Sequence, residues 1–385
     1  MKYFRLVWTG LWRKKVRTIL TLLSIVFAFL LFGMLQGIDT TFKHLVNQGR
    51  LNVLVTTNPA GLPLPLADLQ QIQAVHGVTR VTYRGLFVGD YQSIRNIVIV
   101  LPVESKGFFA ENEQFKVSPA QLKSFLSTRT GALVSATLAQ RLGWKVGEQI
   151  PVHALNARKK DGTDDWTFDV VGTFDIPGSP IRDEPILFMN YPYFDEARAT
   201  DTGTVTLYQE TIADASRATE ISNSIDNLFV NSSARTLTQT ERANAQGSLA
   251  QLGSLDFFVE AIVGAAFATL LLLTGSTLMQ AYRERIHEFA VMKTIGFTDR
   301  KVSALVLSES ILLAVGAAVL GLAIAHAALP ALGSAMSRYG LPGLELPWTV
   351  FLAGIGFGVA LALVSALPAA WRARQLSIID ALAVR

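Results

Sequence analysis

Residues 257–280 read FFVEAIVGAAFATLLLLTGSTLMQ, residues 281–303 read AYRERIHEFAVMKTIGFTDRKVS, and residues 304–329 read ALVLSESILLAVGAAVLGLAIAHAAL. Two long apolar stretches thus flank a short, highly charged segment. A bilayer core of about 30 Å requires roughly 20 apolar helical residues. Phe257–Gln280 meets this with a single charge, Glu260, and Ala304–Leu329 meets it with Glu309 near its start and His326 near its end. Working outward, Ile19–Ile38 and Trp348–Ala370 are further stretches with no charge at all. The reading is a helical membrane protein of four spans, with an α+β extracytoplasmic domain inserted between spans 1 and 2.

Composition agrees. The chain has 385 residues, half of them apolar and only 17% charged, against about 25% charged in an ordinary soluble protein. The apolar excess lies in the four stretches, and residues 40–256 resemble soluble protein, which excludes both a single soluble domain and a disordered chain. The net charge of +4 reflects loop placement and implies no nucleic acid. The absence of cysteine excludes disulfides, thiolate metal sites and a Cys nucleophile.

Lys and Arg in short flanking segments set orientation. Lys2, Arg5, Arg13, Lys14, Lys15 and Arg17 precede span 1, and Arg283, Arg285, Lys293, Arg300 and Lys301 separate spans 2 and 3. Arg372, Arg374 and Arg385 follow span 4, whereas the short loop between spans 3 and 4 holds only Arg338. Four spans put all three basic segments on one side, so both termini are expected in the cytoplasm. Trp12, Tyr282 and Trp371 then sit at inner ends and Trp348 at an outer end, as interfacial aromatics do. The first stretch is too long for a signal peptide, and no A-x-A-like cleavage site follows it.

The expected order is a cytoplasmic amphipathic N-terminal segment (1–18), span 1 (19–38), an extracytoplasmic α+β domain (39–256), span 2 (257–280), a cytoplasmic loop with a short helix (281–303), span 3 (304–330), a short extracytoplasmic loop (331–347), span 4 (348–370) and a cytoplasmic tail (371–385). Phe4, Val7, Trp8 and Leu11 have helical spacing and lie beside cations, which suits a helix on the inner membrane face. Small residues recur four apart: Gly33 and Gly37 in span 1, Ala317, Gly321 and Ala325 in span 3, and Gly354, Gly358, Ala362 and Ala366 in span 4. Such stripes let helices approach closely in lipid. Four spans form a self-associating bundle, too few for a wide aqueous pore.

In the domain, Leu51–Thr57, Val78–Tyr91, Asn96–Val103, Val205–Tyr208 and Arg235–Thr240 read as strands, and Leu66–Val75 and Ile212–Phe229 as helices. Two β-α-β pieces therefore bracket a middle part, placed at 105–200. Within it, Ala132–Leu142 has a helix pattern, Gln149–Ala154 and Trp166–Phe174 are strands, and the charged run Arg158–Asp165 around Gly162 is a hairpin tip. Residues 231–256 are polar and lead back to the membrane as a helical stalk. No internal repeat of fixed period is present.

Catalytic signatures are missing: no G-x-x-x-x-G-K-[ST], no G-x-S-x-G and no H-E-x-x-H. His44, His76, His153, His287 and His326 are scattered. Asp164-Asp165 and Asp183-Glu184 read as solvated loop charge, and Asn231-Ser232-Ser233 is a short glycosylation sequon, a pattern frequent by chance. Glu309 and Glu260 are acids at membrane depth, where charge is costly and functional by default. Glu309 divides between a structural and a functional role, Glu260 leans structural, and His326 is interfacial.

The segment 283–298 reads as a short amphipathic helix stopped by Gly296, with Ile286, Phe289, Ala290 and Lys293 on one face. Such a helix can seat in a groove on a cytoplasmic partner. Arg-Glu-Arg-x-x-Glu-Phe-x-x-x-Lys-x-x-Gly-Phe, from Arg283 to Phe297, resembles the coupling helix of the MacB/LolC/FtsX-type ABC transporter permeases. Glu309-Ser310 followed by Ile311–Leu313 resembles that family's start of span 3. Leu367-Pro368-Ala369-Ala370-Trp371-Arg372-Ala373-Arg374 with Ile379-Asp380-Ala381-Leu382 resembles its C-terminal end. Val134-Ser135, Leu138-Ala139, Gly143, Val146-Gly147-Glu148 and Val170-Val171-Gly172 resemble its periplasmic domain. Ala290-Val291 departs mildly from the Gly and β-branched residue found in many members.

The resemblance implies an inner-membrane permease, a homodimer or heterodimer, with a separate ATPase docked under Arg283–Phe297. Arg283, Glu284, Arg285, Glu288, Phe289, Met292, Lys293, Gly296 and Phe297 form the coupling site. Glu284 and Glu288 are expected to contact the ATPase, and Phe289 and Met292 to pack in its groove. No cofactor is expected on this chain, which is no enzyme itself, and ATP and Mg²⁺ belong to the partner. ATP-driven motion is transmitted to the periplasmic domain for export or extraction of a substrate, with a periplasmic membrane-fusion adaptor as a further partner. The rival readings are an ATPase-driven regulator of a cell-wall hydrolase and a permease extracting lipid or lipoprotein. Substrate identity is not encoded in any recognisable ligand signature.

Overall fold

The computed structural model describes residues 9, 12–177, 184–251, 255–336 and 343–375. The amphipathic segment expected at 3–12 and the motif at Ile379–Leu382 lie outside them, apart from Thr9 and Trp12. The chain forms two compact units, one of Met1–Thr40, Ser254–Ala331 and Glu345–Arg385, the other of Thr41–Gly253 and Leu332–Leu344.

In the first unit, a short turn of 3-10 helix at Trp12–Lys14 leads into helix Lys15–Gln48, and helices Leu255–Glu284, Asp299–Met336 and Trp348–Gln375 follow. Among the described residues, four helices are long and apolar enough to cross a membrane. They begin or end beyond the apolar stretches read from sequence, because polar residues next to a span keep their backbone hydrogen bonds equally well in water. In lipid the packing force between helices is close van der Waals contact, and the glycines show where it acts. A methyl group on Gly33 would come within 2.7 Å of Ala325 Cβ, and one on Gly37 within 2.5 Å of Leu329. One on Gly354 would meet Leu322 at 2.7 Å, and one on Gly358 would meet Ala318 at 3.0 Å. Span 3 answers with Gly321, where a methyl would strike the Val26 carbonyl at 2.5 Å. Span 3 is thus wedged between spans 1 and 4. Span 2 joins through Phe267, which meets Phe29 edge-on at 5.3 Å and Phe357 at 5.3 Å.

In the second unit, strands β1 (Val53–Thr57), β2 (Leu64–Pro65), β3 (Val78–Arg84), β4 (Phe87–Tyr91), β5 (Ser93–Val103), β6 (Lys116–Val117), β7 (Gly131–Ser135), β8 (Gln149–Ala154), β9 (Asp165–Asp175), β10 (Ile186–Asn190), β11 (Thr204–Val205), β12 (Leu207–Ile212) and β13 (Leu237–Thr240) occur in chain order. Two subsheets emerge from the pairing. One has the order β13-β1-β12-β3, all antiparallel. With helices Leu69–Gln73 and Ala218–Leu228 as crossovers, it is a split β-α-β arrangement built from both ends of the domain. The other runs β5-β4-β8-β9-β7-β10 and returns to β5 through a parallel β10–β5 pairing. Closure into a six-stranded barrel leaves no unpaired edge. Alternation fills it: Ile150 and Val152 on β8 and Trp166, Phe168 and Val170 on β9 are buried, while their neighbours are not.

The inserted part therefore begins at Gly85, not at 105. A single strand over Val78–Tyr91 would have carried both subsheets; instead the chain breaks at Gly85, whose N–H donates to the Pro102 carbonyl at 2.7 Å, and β4 and β5 join the barrel. Ala132–Leu142 is likewise not one helix. Gly131–Ser135 is a fully buried strand, and the helix starts at Ala136, capped by the Ser135 hydroxyl accepting from Leu138 N–H. The hairpin tip at 158–165 is as expected, with Gly162 at φ +84°. Residues from Ile212 form a strand end, a 3-10 turn and a shorter helix, Ala218–Leu228. The polar segment after β13 contains helix Glu241–Gln251.

Candidate functional site

The charged segment between spans 2 and 3 folds into helix Ile286–Thr294. Its end is a Schellman closure. Gly296 takes φ +101°, its N–H donates to the Lys293 carbonyl at 3.1 Å, and the Phe297 N–H donates to the Met292 carbonyl at 3.0 Å. A side chain at 296 would strain this conformation, so glycine fixes the length of the helix.

The helix has two unlike faces. Phe289 is 1% exposed and Ala290 fully buried. Phe289 stacks on Tyr282 at 5.9 Å and packs with Val302, Leu305, Val306, Ala369 and Ala373. Ile286, Met292 and Phe297 edge the same cluster. The Tyr282 hydroxyl donates to the Arg372 carbonyl at 3.0 Å. Lys293 donates to the Arg374 carbonyl at 3.3 Å and pairs with Asp299 at 2.8 Å. This face is bound to the ends of spans 2, 3 and 4. Burying Phe289 here contributes about 1.5–3 kcal/mol. Phe289 is consequently not free to fill a partner's groove, contrary to the expectation above, whereas Met292 is half-buried and lines an open groove. The face read as apolar from its spacing is covered by the chain's own spans.

Across the helix, His287, Val291, Thr294 and Ile295 are exposed, Val291 at 47% and Ile295 at 74%. Their spacing puts them on one stripe. That stripe was present in the sequence as i, i+4, i+7 and i+8, but carries no charge signature to mark it. Beside it runs an open groove of about 530 Å³, walled by Arg13, Arg285, Glu288 and Leu305 among others.

Charges organise the rest. Arg285, at the helix N-cap, directs Nη1 to both Glu309 carboxylate oxygens at 2.8 and 2.7 Å. Its Nε donates to Glu288 at 3.2 Å, and its guanidinium lies 5.1 Å from the Phe289 ring centre. Glu309 is 7% exposed, so the acid at the start of span 3 is held by a cation from the loop. Glu284 and Glu288 are also engaged within the chain. Lys14 at 2.9 Å and Arg17 at 3.0 Å pair with Glu284, and Arg13 pairs with Glu288. Cations that serve in the sequence as orientation cues thus also bind span 1 to the loop. Arg283 is exposed, and it makes no ion pair among the described residues. Glu260 is exposed on span 2 and has no partner among the described residues, and His326 is exposed on span 3.

In the second unit, one of the two carboxylate pairs is solvated as expected and the other departs from that reading. Asp164 and Asp165 are solvated and face Arg158 and His153 at 3.7 and 3.1 Å. Asp183 lies outside the described residues, but Glu184 is half-buried, and burial pushes its carboxyl up to about 7 against the pull of Arg84.

The chain matches the family model of the MacB-like periplasmic core domain over residues 18–246, more than half its length, and that of the FtsX-like permease C-terminal region over residues 260–378. Among solved structures it is similar to the extracellular domain of the noncanonic ABC-type transporter YknZ from Gram-positive bacteria, with 13% identity, 49% of this chain and 99% of that one covered, and a TM-score of 0.36. It is also similar to the periplasmic region of MacB from Actinobacillus actinomycetemcomitans, with 12% identity, 51% and 92% covered, and a TM-score of 0.38. A domain of a putative permease protein from Porphyromonas gingivalis gives 12% identity, 50% and 91% covered, and 0.34. No curated protein matches the chain. With its multi-pass helical unit and its α+β extracytoplasmic domain, the chain belongs to the MacB/FtsX-type permeases of ABC transporters.

Proposed function

We propose that this permease converts ATP hydrolysis by a separate cytoplasmic ATPase subunit into movement of its extracytoplasmic domain. ATP and Mg²⁺ sit on the ATPase, which docks on the His287–Val291–Ile295 stripe. The observation that carries the reading is the division of helix Ile286–Thr294 into one face sunk among the span ends and one face left open. A displacement at the open face reaches span 3 through Arg285 and Glu309, and span 4 through Phe289. Cations clustered before span 1, between spans 2 and 3 and after span 4 support cytoplasmic termini in an inner membrane. Two copies assemble as a homodimer, and the outer domains work on a substrate exported or extracted from the inner membrane or periplasm, alongside an adaptor. Four spans per copy favour transmitted motion over passage through a wide channel.

Affinity purification of the full chain in detergent tests this. A cytoplasmic ATPase co-purifies with the parent chain, and Val291→Asp with Ile295→Asp abolishes its recovery while the melting temperature stays within a few degrees. Recovery of the ATPase at the parental level with both substitutions contradicts the docking face. Absence of any ATPase from the parent preparation contradicts the function.

A further inference from the structure

A groove of about 630 Å³ opens where the start of span 1 meets the end of span 2. Its lining combines cations, hydroxyls and apolar side chains. Lys14, Lys15 and Arg17 stand at the rim. Thr21 and Ser24 of span 1 lie beyond Leu20, about one to two helical turns from Arg17, roughly 6–10 Å at 1.5 Å per residue, and Thr277 of span 2 lines the same groove. Leu20 and Leu273 line the apolar wall and are 60% and 43% exposed. On span 2 the order from the charged end is Thr277 and then Leu273, about one turn deeper.

The rim keeps an excess of positive charge. Lys14 and Arg17 share the single carboxylate of Glu284. Lys15 is exposed and has no partner among the described residues. The hydroxyls are turned to the backbone: Thr21 donates to the Arg17 carbonyl, Ser24 to Leu20 and Thr277 to Leu273. Each spends its proton on its own helix, so none is left to donate to a bound molecule.

The structure assigns this groove as a binding site for an anionic phospholipid of the inner leaflet, with its phosphate at the Lys14, Lys15 and Arg17 rim and an acyl chain along Leu20 and Leu273. A cationic rim beside exposed leucines matches a phospholipid, which carries an anionic phosphate beside apolar chains. Basic pockets between spans at the cytoplasmic surface are suited to such headgroups. A soluble phosphate would satisfy the rim alone and leave the leucine wall unoccupied. The assignment rests on the cytoplasmic orientation of this rim. Because the groove abuts Glu284, a bound lipid would sit beside the coupling loop.

Native mass spectrometry of the delipidated full chain, titrated with phosphatidylglycerol or phosphatidylcholine of identical acyl chains, tests the assignment without any ATPase. Phosphatidylglycerol is expected to bind in preference, and Lys15→Gln is expected to lower its occupancy about fivefold, the weight of one cation near a phosphate, with phosphatidylcholine unchanged. Equal binding of both lipids, or an undiminished preference in Lys15→Gln, overturns it. Competition by inorganic phosphate to the same extent would also overturn it, in favour of a soluble anion. The chain has no cysteine, so Leu20→Cys and Leu273→Cys report the remaining occupant. Efficient disulfide formation between copies in native membranes would show that a second copy fills the groove, and the lipid assignment fails while the permease reading stands.

Discussion

Glu309 and Glu210 are both buried glutamates, 7% and 0% exposed, and their surroundings are opposite. Glu309, in the helical unit, receives Arg285 on both oxygens. Glu210, in the extracytoplasmic domain, receives no hydrogen bond on either oxygen among the described residues. Its neighbour Thr56 cannot help. Thr238 gives its proton to Asp226 at 2.7 Å, so in the 2.9 Å contact between the two threonines the donor is Thr56. Burial accordingly pushes the Glu210 carboxyl up to about 8. The difference separates two uses of a buried acid. One ties two elements together because it is paired; the other is held protonated inside a packed core, and its charging opposes the fold.

The comparison breaks most visibly at Arg285. Arg285→Ala leaves Glu309 buried without its cation, which costs about 3–5 kcal/mol. Thermal melting in detergent should fall sharply, and stimulation of ATPase activity should be lost. The paired apolar change Arg285→Met with Glu309→Leu should recover most of the melting temperature, since buried ion pairs are replaceable by packed apolar groups, yet leave stimulation absent. Recovery of both would make the pair a structural fitting only.

Glu210→Gln sharpens the other half. The unfolded carboxyl loses its proton near 4.5, whereas the folded one keeps it to about 8. Stability from this group is therefore complete below 4.5 and is lost as pH rises through about 8. Between acid and neutral pH the parent loses on the order of 3 kcal/mol through it. In Glu210→Gln the decline of melting temperature over that interval should be much shallower, with Glu184, raised to about 7, supplying a residual slope. An unchanged slope would mean that Glu210 is already charged in the fold.

Gly296→Ala should cost about 1–2 kcal/mol, the strain of a left-handed backbone with a side chain, read as a modest drop in melting and a larger drop in ATPase recovery. Glu288→Ala is the smallest. Its side chain is 41% exposed and that of Arg13 is 63% exposed, so screening holds the stability effect below about 0.5 kcal/mol.

The spans were legible because twenty apolar residues have few other uses, and the β13-β1-β12-β3 subsheet because two β-α-β patterns bracket the domain. The barrel was not. Its closure rests on parallel β10–β5 and β7–β9 pairings between distant segments, which no local pattern records. Ala132–Leu142 misled because a short buried run has no period, and Gly131–Ser135 is buried throughout. On helix Ile286–Thr294, spacing correctly grouped Ile286, Phe289, Ala290 and Lys293. It could not say what covers them, since periodicity marks an apolar face without naming its neighbour.

Cysteine-directed cross-linking tests the central claim most directly, because the chain has no cysteine of its own. A single cysteine at Ile295, exposed on the open stripe, and one at Ala290, fully buried on the opposite face, would be compared in membranes that contain the ATPase. The account predicts capture of the ATPase from position 295 and none from 290. Equal capture from both positions, or capture from 290 alone, would contradict it.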